Sequence, residues 1–586
     1  MGRLVRAGLA AGAVTIFLAL VGLIERFKDL ELVGSQITLS LLFLVLPPFV
    51  AGYVVGRPRV ERGERREVTR NEALTWGAIA GAVSGALVGA ATVFADAFGI
   101  DRIRAVFIQA TSGLIEILTF GLTPVVGALV LVALSAVAGA LGGGLHLLPA
   151  RIRRPVVSAV TAVLLLGFLQ RIVPVALAEL NLADEWLYFH AGGLTWFGAA
   201  VVAAVAVGIS ILRDRQGSQI RARLSFGGNG SGREGMDLGR LIALAVIVAL
   251  LLAIPQLLGT VISDVLGSVM VFILLGLGLN IVVGYAGLLD LGYVAFFAFG
   301  AYTTGILTGG NLNSFQGITK PVVSADLNFY LAIPVVVVLA ALVGVLIGAP
   351  VLRLRGDYLA LVTLGLGEMV TVLVASPWLT PLVGGPSGMR DVSDAAIGNI
   401  SFRDPKSFYY LALAFVLLAL FVSRRLYGSR IGRAWTAMRE DEQTADAMGI
   451  STTSYKLLAF AMGGAIGSLG GALFAVKIGS LTPASFEVLV SIQVLGIVIL
   501  GGLGSLPGVV VGALVLVGLP GVLREFEEYR LLAYGAALVA VMVLRPQGLV
   551  PNVRRSRELQ EEEVAQDAWA AGSPDEEAPA VETAAT

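Results

Sequence analysis

The sequence contains no cysteine and only two histidines, His146 and His190, which lie in separate regions. Without cysteine the chain has no disulfide bond, no thiolate nucleophile and no cysteine-ligated metal site. A single histidine in each region argues against a histidine-based metal centre, so no metal is expected. Charged residues make up 14% of the chain, which is too little charge for a soluble domain.

Signals for ATP binding and for catalysis are also absent from the sequence. The dipeptide Gly-Lys does not occur, so there is no G-x-x-x-x-G-K-[ST] loop to cradle ATP phosphates. The glycine-rich stretch at 501–508 lies between two apolar runs with no strand before it, which predicts a tight turn. No Ser-His-Asp set or pair of carboxylates stands at a catalytic spacing. We therefore expect a chain that is not an enzyme, needs no cofactor, and takes any energy from an ion gradient or a partner.

Apolar residues dominate what is present. They make up 56% of the chain, and glycine contributes 73 residues, which is typical of closely packed membrane helices. Runs long enough to cross a bilayer predict an all-α polytopic membrane protein with about 16 transmembrane helices. About six runs lie near 8–24, 37–56, 74–95, 118–147, 155–178 and 193–212. About ten more lie near 239–257, 264–284, 288–308, 328–352, 357–378, 407–423, 455–478, 489–503, 507–523 and 530–545.

Arginine is concentrated in alternate connections between these runs, and such connections stay in the cytoplasm. This pattern places both termini of the multi-pass chain on the cytoplasmic side of the plasma or inner membrane. We interpret the first run as a retained span and not as a cleaved signal peptide. The predicted domains are an extra six-span block, a cytoplasmic linker, a ten-span core and a disordered acidic cytoplasmic tail: 1–215, 216–238, 239–552 and 553–586. The formal net charge of +0 gives no basic field for nucleic acid.

The third apolar run carries Gly77, Gly81, Gly85 and Gly89 at intervals of four residues. Glycines at this spacing share one helix face and let a neighbouring backbone approach closely. The repeat predicts tight helix packing and carries no chemistry.

A polar stretch, REDEQTADAMGI at 439–450, stands between two apolar runs. From Ala434 to Met448 there is no proline or glycine, which predicts one helix roughly 22 Å long at 1.5 Å per residue. Gly449 then predicts a helix end in the left-handed conformation. The pattern indicates a short amphipathic helix along the membrane, either a solvated connector or a surface presented to a soluble partner.

Several stretches, in order along 239–552, resemble the branched-chain amino acid permease family of ATP-binding-cassette importers, and in particular the subunit labelled M. They are GLGLNIVVGYAGLLDLGYVAFFAFGAYTTGIL (276–307), LRLRGDYLALVTLGLGEMV (352–370), VGGPSGM (383–389), GSRIGRAWTAMREDEQTADAMGISTTSYKLLAFAMGGAIGSLGGALFA (428–475), GGLGSLPGVVVGA (501–513) and LRPQGLVP (544–551). Together they are specific for this family. None of them occurs in residues 1–238, whose role the sequence leaves open.

The resemblance implies a half-permease in the lipid bilayer that has no catalytic site of its own and binds no nucleic acid. It implies four partners: a homologous permease subunit, two cytoplasmic ATP-binding-cassette ATPases and an extracytoplasmic solute-binding protein. The polar stretch would then be the ATPase-coupling helix. The residues expected at the ATPase are Arg439, Glu440, Asp441, Ala445 and Gly449.

Polar residues inside the apolar runs are the candidates for the translocation path. Asn280, Tyr285 and Tyr302 offer hydrogen bonds, and Glu368 alone is an acid well inside a run. Hydrogen bonding between helices, or a structural role for Glu368, is the alternative interpretation. In an external loop, Gly385, Pro386 and Gly388 are assigned to the binding protein, although a turn explains them equally well.

Three alternatives stay open at this stage. Closely similar permeases import urea and short amides, so the cargo is either these or branched-chain amino acids. A stand-alone gradient-driven carrier or channel would transport without ATP, although the scarcity of charge within the spans favours a partner-driven system. A membrane-embedded enzyme is disfavoured by the missing site chemistry.

Overall fold

A computed structural model describes most of the chain, and its described part is almost entirely helical. The described residues are 2–34, 36–56, 59–61, 64–66, 70–99, 111–170, 173–179, 185–189, 192–224, 238–309, 311–312, 325–351, 357–397, 400–522 and 547–550, with isolated positions between 102 and 107 and between 532 and 539. The predicted tail at 553–586 and most of the last predicted span at 530–545 lie outside these residues. Contacts divide the chain into two compact units, Met1–Asp237 and Leu238–Thr586.

Unit 1 is built from helices with two short hairpins. Its helices are Gly2–Leu20, Leu23–Arg26, Leu39–Val55, Arg70–Phe98, Ser112–Leu118, Pro124–Gly144, Ala150–Phe168, Val173–Glu179 and Trp196–Leu224, with a 3₁₀ turn at Leu145–Leu147. The hairpins pair Glu31–Val33 with Ile37–Thr38 and Arg59–Glu61 with Glu64–Arg66. The last helix runs into the segment 216–238, whose role as a linker stays a prediction, and residues 225–237 lie outside the described part.

The glycine repeat of unit 1 packs against the helix Pro124–Gly144, as its spacing predicts. A Cβ placed on Gly81 would lie 2.0 Å from the carbonyl oxygen of Ser135, and one on Gly77 would lie 2.3 Å from that of Gly139. Side chains at these positions are therefore excluded, and the two backbones meet directly.

Unit 2 contains long helices joined by short turns. Its α-helices are Leu238–Leu279, Val294–Leu307, Phe329–Val351, Asp357–Ala375, Thr380–Val383, Pro405–Gly428, Arg430–Glu440, Glu442–Ala447, Thr452–Ile478, Val488–Gly501, Leu506–Ala513 and Leu519–Val522. Two π-helical turns, Asn280–Tyr285 and Leu514–Gly518, and two 3₁₀ turns, Gly385–Ser387 and Pro483–Phe486, interrupt or join them. Short antiparallel pairs join Asn311–Leu312 to Met389–Arg390 and Ala396–Ile397 to Ile400–Ser401.

The expected all-α polytopic class is confirmed. Among the described residues, 8 helices are long and apolar enough to cross a membrane, and shorter apolar helices accompany them. The count of about 16 spans stays a prediction. The two runs predicted near 239–257 and 264–284 form one helical stretch that is broken at Gly259, whose φ of 74° and ψ of −173° are not helical.

Helix Thr452–Ile478 lies at the centre of unit 2, because its glycines admit two neighbouring helices at close range. A Cβ on Gly471 would lie 2.1 Å from the carbonyl oxygen of Phe297, and one on Gly463 would lie 2.5 Å from a methyl carbon of Val282. The side chain of Phe460 on the same helix is fully buried. In lipid such packing is held by van der Waals contact, so a large residue at Gly471 would separate two core helices.

Candidate functional site

The polar segment, defined here as residues 429–450, forms two helices where one continuous helix was predicted. The helices Arg430–Glu440 and Glu442–Ala447 are separated at Asp441, whose φ of −152° is extended. The Asp441 carboxylate caps the second helix, accepting hydrogen bonds from the backbone N–H of Gln443 (2.8 Å) and Thr444 (3.0 Å). Such caps compete with helix continuation, which explains the break. The bonds from Thr444 and Gln443 hold the pKa of the Asp441 carboxyl below its usual range.

One face of the polar segment is buried against the rest of unit 2. Trp435 is fully buried, and its indole Nε1 donates a 2.8 Å hydrogen bond to the carbonyl of Tyr455. Met438 and Ala445 are also buried. Ala445 does not lie on the open face, because its methyl group packs inward, and its predicted contact with an ATPase stays a prediction.

The other face of the polar segment is open. Glu440, Asp441 and Gly449 are exposed, and Met448 is 80% exposed although it is a large apolar side chain. Gly449 has the left-handed φ of +86° that its position predicts, and a Cβ placed there would meet nothing within 4 Å. An exposed polar face that carries one exposed methionine is suited to a protein partner, because methionine is enriched at protein interfaces.

Arg439 points away from this open face and into the end of unit 2. Its Nη1 donates a 2.6 Å hydrogen bond to the carbonyl oxygen of Gly284, in the π-helical turn Asn280–Tyr285. The stem of Arg439 covers Gly287, whose φ is +73° and whose added Cβ would lie 2.7 Å from Arg439 Cγ. The polar segment is thus tied directly to the end of a core helix.

The turn at 502–505 reaches the same place, and it is the tight turn predicted from the glycine-rich stretch. The backbone N–H of Gly504 donates a 2.9 Å hydrogen bond to the side-chain oxygen of Asn280. Residues 547–550 return to this end, where the N–H of Val550 donates to the carbonyl of Gly501 at 2.9 Å. The polar segment, the turn 502–505 and residues 547–550 therefore meet at one end of unit 2.

Three of the four residues predicted to line a path are buried between helices, and two of them, Asn280 and Tyr285, lie in the same π-turn. Asn280, Tyr285 and Tyr302 are at most 4% exposed. The ring of Tyr285 lies 4.9 Å from that of Tyr427, and the ring of Tyr302 lies 5.2 Å from that of Phe486. In this conformation none of these three lines an open surface, because each is packed between helices.

Glu368 alone of the four is exposed. It lies on helix Asp357–Ala375 beside a cavity of about 550 Å³ that Thr371 and Glu487 also line. The remaining lining residues are Pro483, Ala484, Val488, Leu489 and Ile492. A carboxylate at this depth in a membrane span is costly unless it meets protein or water, so this surface is a candidate for part of a path.

The predicted binding-protein contacts lie at the opposite end of unit 2 from the polar segment. Gly385 and Gly388 are buried and have positive φ, whereas Pro386 is exposed. A Cβ on Gly388 would lie 2.1 Å from the carbonyl oxygen of Leu481, which also accepts a 2.9 Å hydrogen bond from the N–H of Met389. The two glycines therefore shape the loop, and only Pro386 of the three offers a surface.

An ionic contact between two core helices was not predicted from the sequence. Lys477 Nζ lies 3.2 Å from a carboxylate oxygen of Asp264 and also donates to the carbonyl of Asp264 at 2.5 Å. The available signal was an acid at the start of one apolar run and a lysine at the end of another. Within the described ranges, no group of three or more histidine, aspartate or glutamate side chains is placed to hold a metal.

Comparison with known proteins decides the family. Residues 261–544 match the family described as the branched-chain amino acid transport system permease component. The chain is 38% identical over 349 residues to the high-affinity branched-chain amino acid transport system permease protein LivM of Escherichia coli (strain K12), covering 56% of this chain and 78% of that protein. The chain belongs to the branched-chain amino acid permease family. It is a permease subunit of an ATP-binding-cassette importer, as the motifs implied.

Other relatives extend this assignment. The permease is 30% identical over 191 residues to the high-affinity branched-chain amino acid transport system permease protein BraD of Pseudomonas aeruginosa, covering 31% of this chain and 57% of that protein. It is 26% identical over 204 residues to the high-affinity branched-chain amino acid transport system permease protein LivH of Escherichia coli (strain K12), covering 32% of this chain and 65% of that protein. No solved structure matches the chain.

Proposed function

We propose that this permease imports branched-chain amino acids, driven by ATP that partner subunits hydrolyse. The cargo is carried over from the printed function of the relatives. The partners would be two cytoplasmic ATPases, a homologous permease and an external solute-binding protein. Two different permease proteins of one Escherichia coli transport system, LivM and LivH, each resemble this chain, which supports pairing of two homologous halves.

The observation that carries the proposal is the two-sided polar segment. Its inner face is fixed to unit 2 by Trp435 and Arg439, while its outer face presents Glu440 and Met448. A partner that moves the outer face must therefore move core helices with it. We assign Glu440, Asp441, Met448 and the helix end at Gly449 to the ATPase surface, and Arg439 to the inner connection.

We place part of the translocation path at the cavity beside Glu368, Thr371 and Glu487. These side chains supply acceptors that suit an ammonium group, and the neighbouring apolar residues suit an aliphatic side chain. We assign Pro386, which lies in the loop 384–390, to contact with the binding protein. Gly385 and Gly388 would serve that contact only by shaping the loop.

The orientation and the domain roles complete the proposal. Both termini and the residues that join the two units would be cytoplasmic, so reporter fusions at Gly230 and Ala565 should report inside and a fusion at Asn311 should report outside. An external signal at Gly230 would contradict the proposed topology. Unit 1 would serve packing or assembly, because the family match lies wholly within unit 2.

Reconstitution tests the function. Proteoliposomes with the permease, the homologous permease and the ATPases should take up leucine when ATP and the binding protein are supplied. Proteoliposomes with the permease alone should not. Uptake by the permease alone down a gradient would instead support a carrier, and a binding protein that binds urea but no amino acid would change the cargo.

A further inference from the structure

The carbonyl of Gly284 lies in the last turn of the helix that ends in the π-helical turn Asn280–Tyr285, where backbone carbonyls have no partner within the helix. In an α-helix the N–H of Leu288 would bond to the carbonyl of Gly284, four residues earlier. Here that N–H donates to the carbonyl of Val282 at 3.0 Å, and the N–H of Ala286 donates to that of Ile281 at 3.1 Å. The carbonyl of Gly284 is thereby left for a partner outside the turn, and Arg439 is that partner.

Arg439 and the π-turn fit each other in charge and in shape. The guanidinium stands at the carboxyl end of the long helix, where a positive charge complements the helix dipole. Its stem occupies the space over Gly287, and a Cβ at that position would lie 2.7 Å from Arg439 Cγ. Withdrawal of Arg439 would leave the Gly284 carbonyl buried without a partner, which would loosen this helix end.

Asn280 connects the start of the π-turn to a second core hairpin. Its oxygen accepts the N–H of Gly504, which is 224 residues away in sequence. Its amide nitrogen is buried and has no hydrogen-bond partner in the described part of the chain. A rotation of the helix at Asn280 would therefore pull the turn 502–505 with it, and this turn joins the helices Val488–Gly501 and Leu506–Ala513.

We propose that the π-turn Asn280–Tyr285 is a joint, which Arg439 ties to the polar segment and which Asn280 links to the turn 502–505. ATPase movement of the polar segment would shift Arg439, and the joint would pass that shift to two pairs of core helices. Arg439 and Asn280 are positioning residues in this scheme and touch neither cargo nor ATP. The inference rests on the proposed function and names the part of the permease that transmits its energy.

Variants of the full permease, assembled with its partners in proteoliposomes, test the joint. Arg439→Met keeps the aliphatic stem and removes the donor, and Asn280→Leu keeps the shape and removes the acceptor. Gly287→Ala displaces Arg439 without changing it. Arg433→Met is the matched control, because Arg433 is an exposed arginine on the same helix.

The expected phenotype is uncoupling without loss of assembly. Arg439→Met, Asn280→Leu and Gly287→Ala should copurify with the ATPases and keep basal hydrolysis, because the outer face is unchanged. Stimulation of hydrolysis by the leucine-loaded binding protein, and leucine uptake, should fall at least about tenfold, because Arg439 is the contact that ties the polar segment to the π-turn. Arg439→Lys, which retains charge and a donor, should recover part of both, and Arg433→Met should behave as the native permease.

The double variant Arg439→Met/Asn280→Leu distinguishes one joint from two unrelated defects. Its loss should be no greater than that of either single variant, because both act on the same joint. Additive losses, or normal stimulation in the single variants, would overturn the inference. The proposed function would still stand in that case, provided that the native complex takes up leucine. Absence of ATP-dependent uptake by the native complex would instead overturn the proposed function. If a variant assembles poorly, hydrogen exchange at the Leu288 amide in the remaining variants decides the matter: an unchanged exchange rate would contradict the joint.

Discussion

Lys456 and Glu442 form an ion pair, with 2.6 Å between Nζ and Oε1. The pair fixes the second helix of the polar segment to the core helix Thr452–Ile478. The lysine side chain is 9% exposed and the glutamate side chain 38%, so solvent screens the pair only in part. The short helix Glu442–Ala447 is thus held at its amino-terminal end, both by this pair and by its aspartate cap.

Removing the ion pair should loosen the second helix without unfolding the permease. In Lys456→Met the cost should be about 1 kcal/mol, because one partner is partly exposed. The amide of Met448, which donates to the carbonyl of Thr444 at 3.0 Å, should then exchange about fivefold faster with deuterium. Glu440→Gln, which lies outside the pair, should leave this exchange unchanged. Equal exchange in Lys456→Met and the native permease would show that the pair contributes nothing.

Charge reversal on the outer face should weaken binding of the ATPase. Glu440→Lys should reduce the amount of ATPase that copurifies. The binding free energy should weaken by about 2–5 kcal/mol for a buried contact and by less for an exposed one. Glu440→Gln should show a smaller loss in the same pull-down. This phenotype differs from that of Arg439→Met, which should keep the ATPase bound. Full copurification of Glu440→Lys would remove Glu440 from the interface.

The helix end at Gly449 should tolerate asparagine but not valine. A Cβ at Gly449 has open space around it, so only the backbone conformation at φ +86° opposes substitution. Valine in the left-handed region should cost roughly 1–2 kcal/mol, and asparagine should cost less. Binding-protein-stimulated hydrolysis should therefore fall in Gly449→Val and be largely kept in Gly449→Asn. Equal activity of the two variants would show that the left-handed end is dispensable for coupling.

Asp290, in the turn before helix Val294–Leu307, should make stability depend on pH. Burial raises its pKa from 3.8 to about 6, opposed by the hydrogen bond from the Gly292 N–H and by the neighbouring Thr363 hydroxyl. Between these values the folded state binds more protons than the unfolded chain, so the free energy of unfolding falls as the pH rises from about 4 to 6 and stays lower above that range. The full shift corresponds to an effect on the order of 3 kcal/mol.

Asp290→Asn should abolish this dependence. In detergent, the unfolding midpoint temperature of the variant should vary less with pH between about 4 and 6 than that of the native permease. At neutral pH the variant should have the higher midpoint of the two. Asp446→Asn, at an exposed aspartate of the polar segment, is the control and should keep the native slope. A native slope in Asp290→Asn would mean that another group causes the dependence.

The apolar runs and the glycine repeat predicted much of the fold, because span length and close backbone contact are local properties of a membrane sequence. The helix break at Asp441 was not predicted, because no glycine or proline marks it. It depends on the aspartate cap and on the distant partner of Glu442, which is Lys456. Helix propensity alone favours one continuous helix there.

The candidate site was predicted in part. The polar segment was found, since its charge contrasts with the apolar runs beside it. Asn280 was singled out as polar but assigned to the path, because its bond to Gly504 joins residues far apart in sequence. The inward direction of Arg439 was likewise hidden, since a run of charged residues does not show which of them faces a backbone carbonyl.

Protection of Met448 by the ATPase tests the central claim, that the polar segment is the coupling surface. Met448→Cys places the only thiol in a chain without cysteine, at a position 80% exposed. Maleimide should label it readily in the permease without ATPases and at least about tenfold more slowly in the assembled complex, because interface cores exclude solvent. Trp378→Cys, at an equally exposed position, should label at the same rate in both. Equal labelling of Met448→Cys with and without bound ATPase would contradict the account.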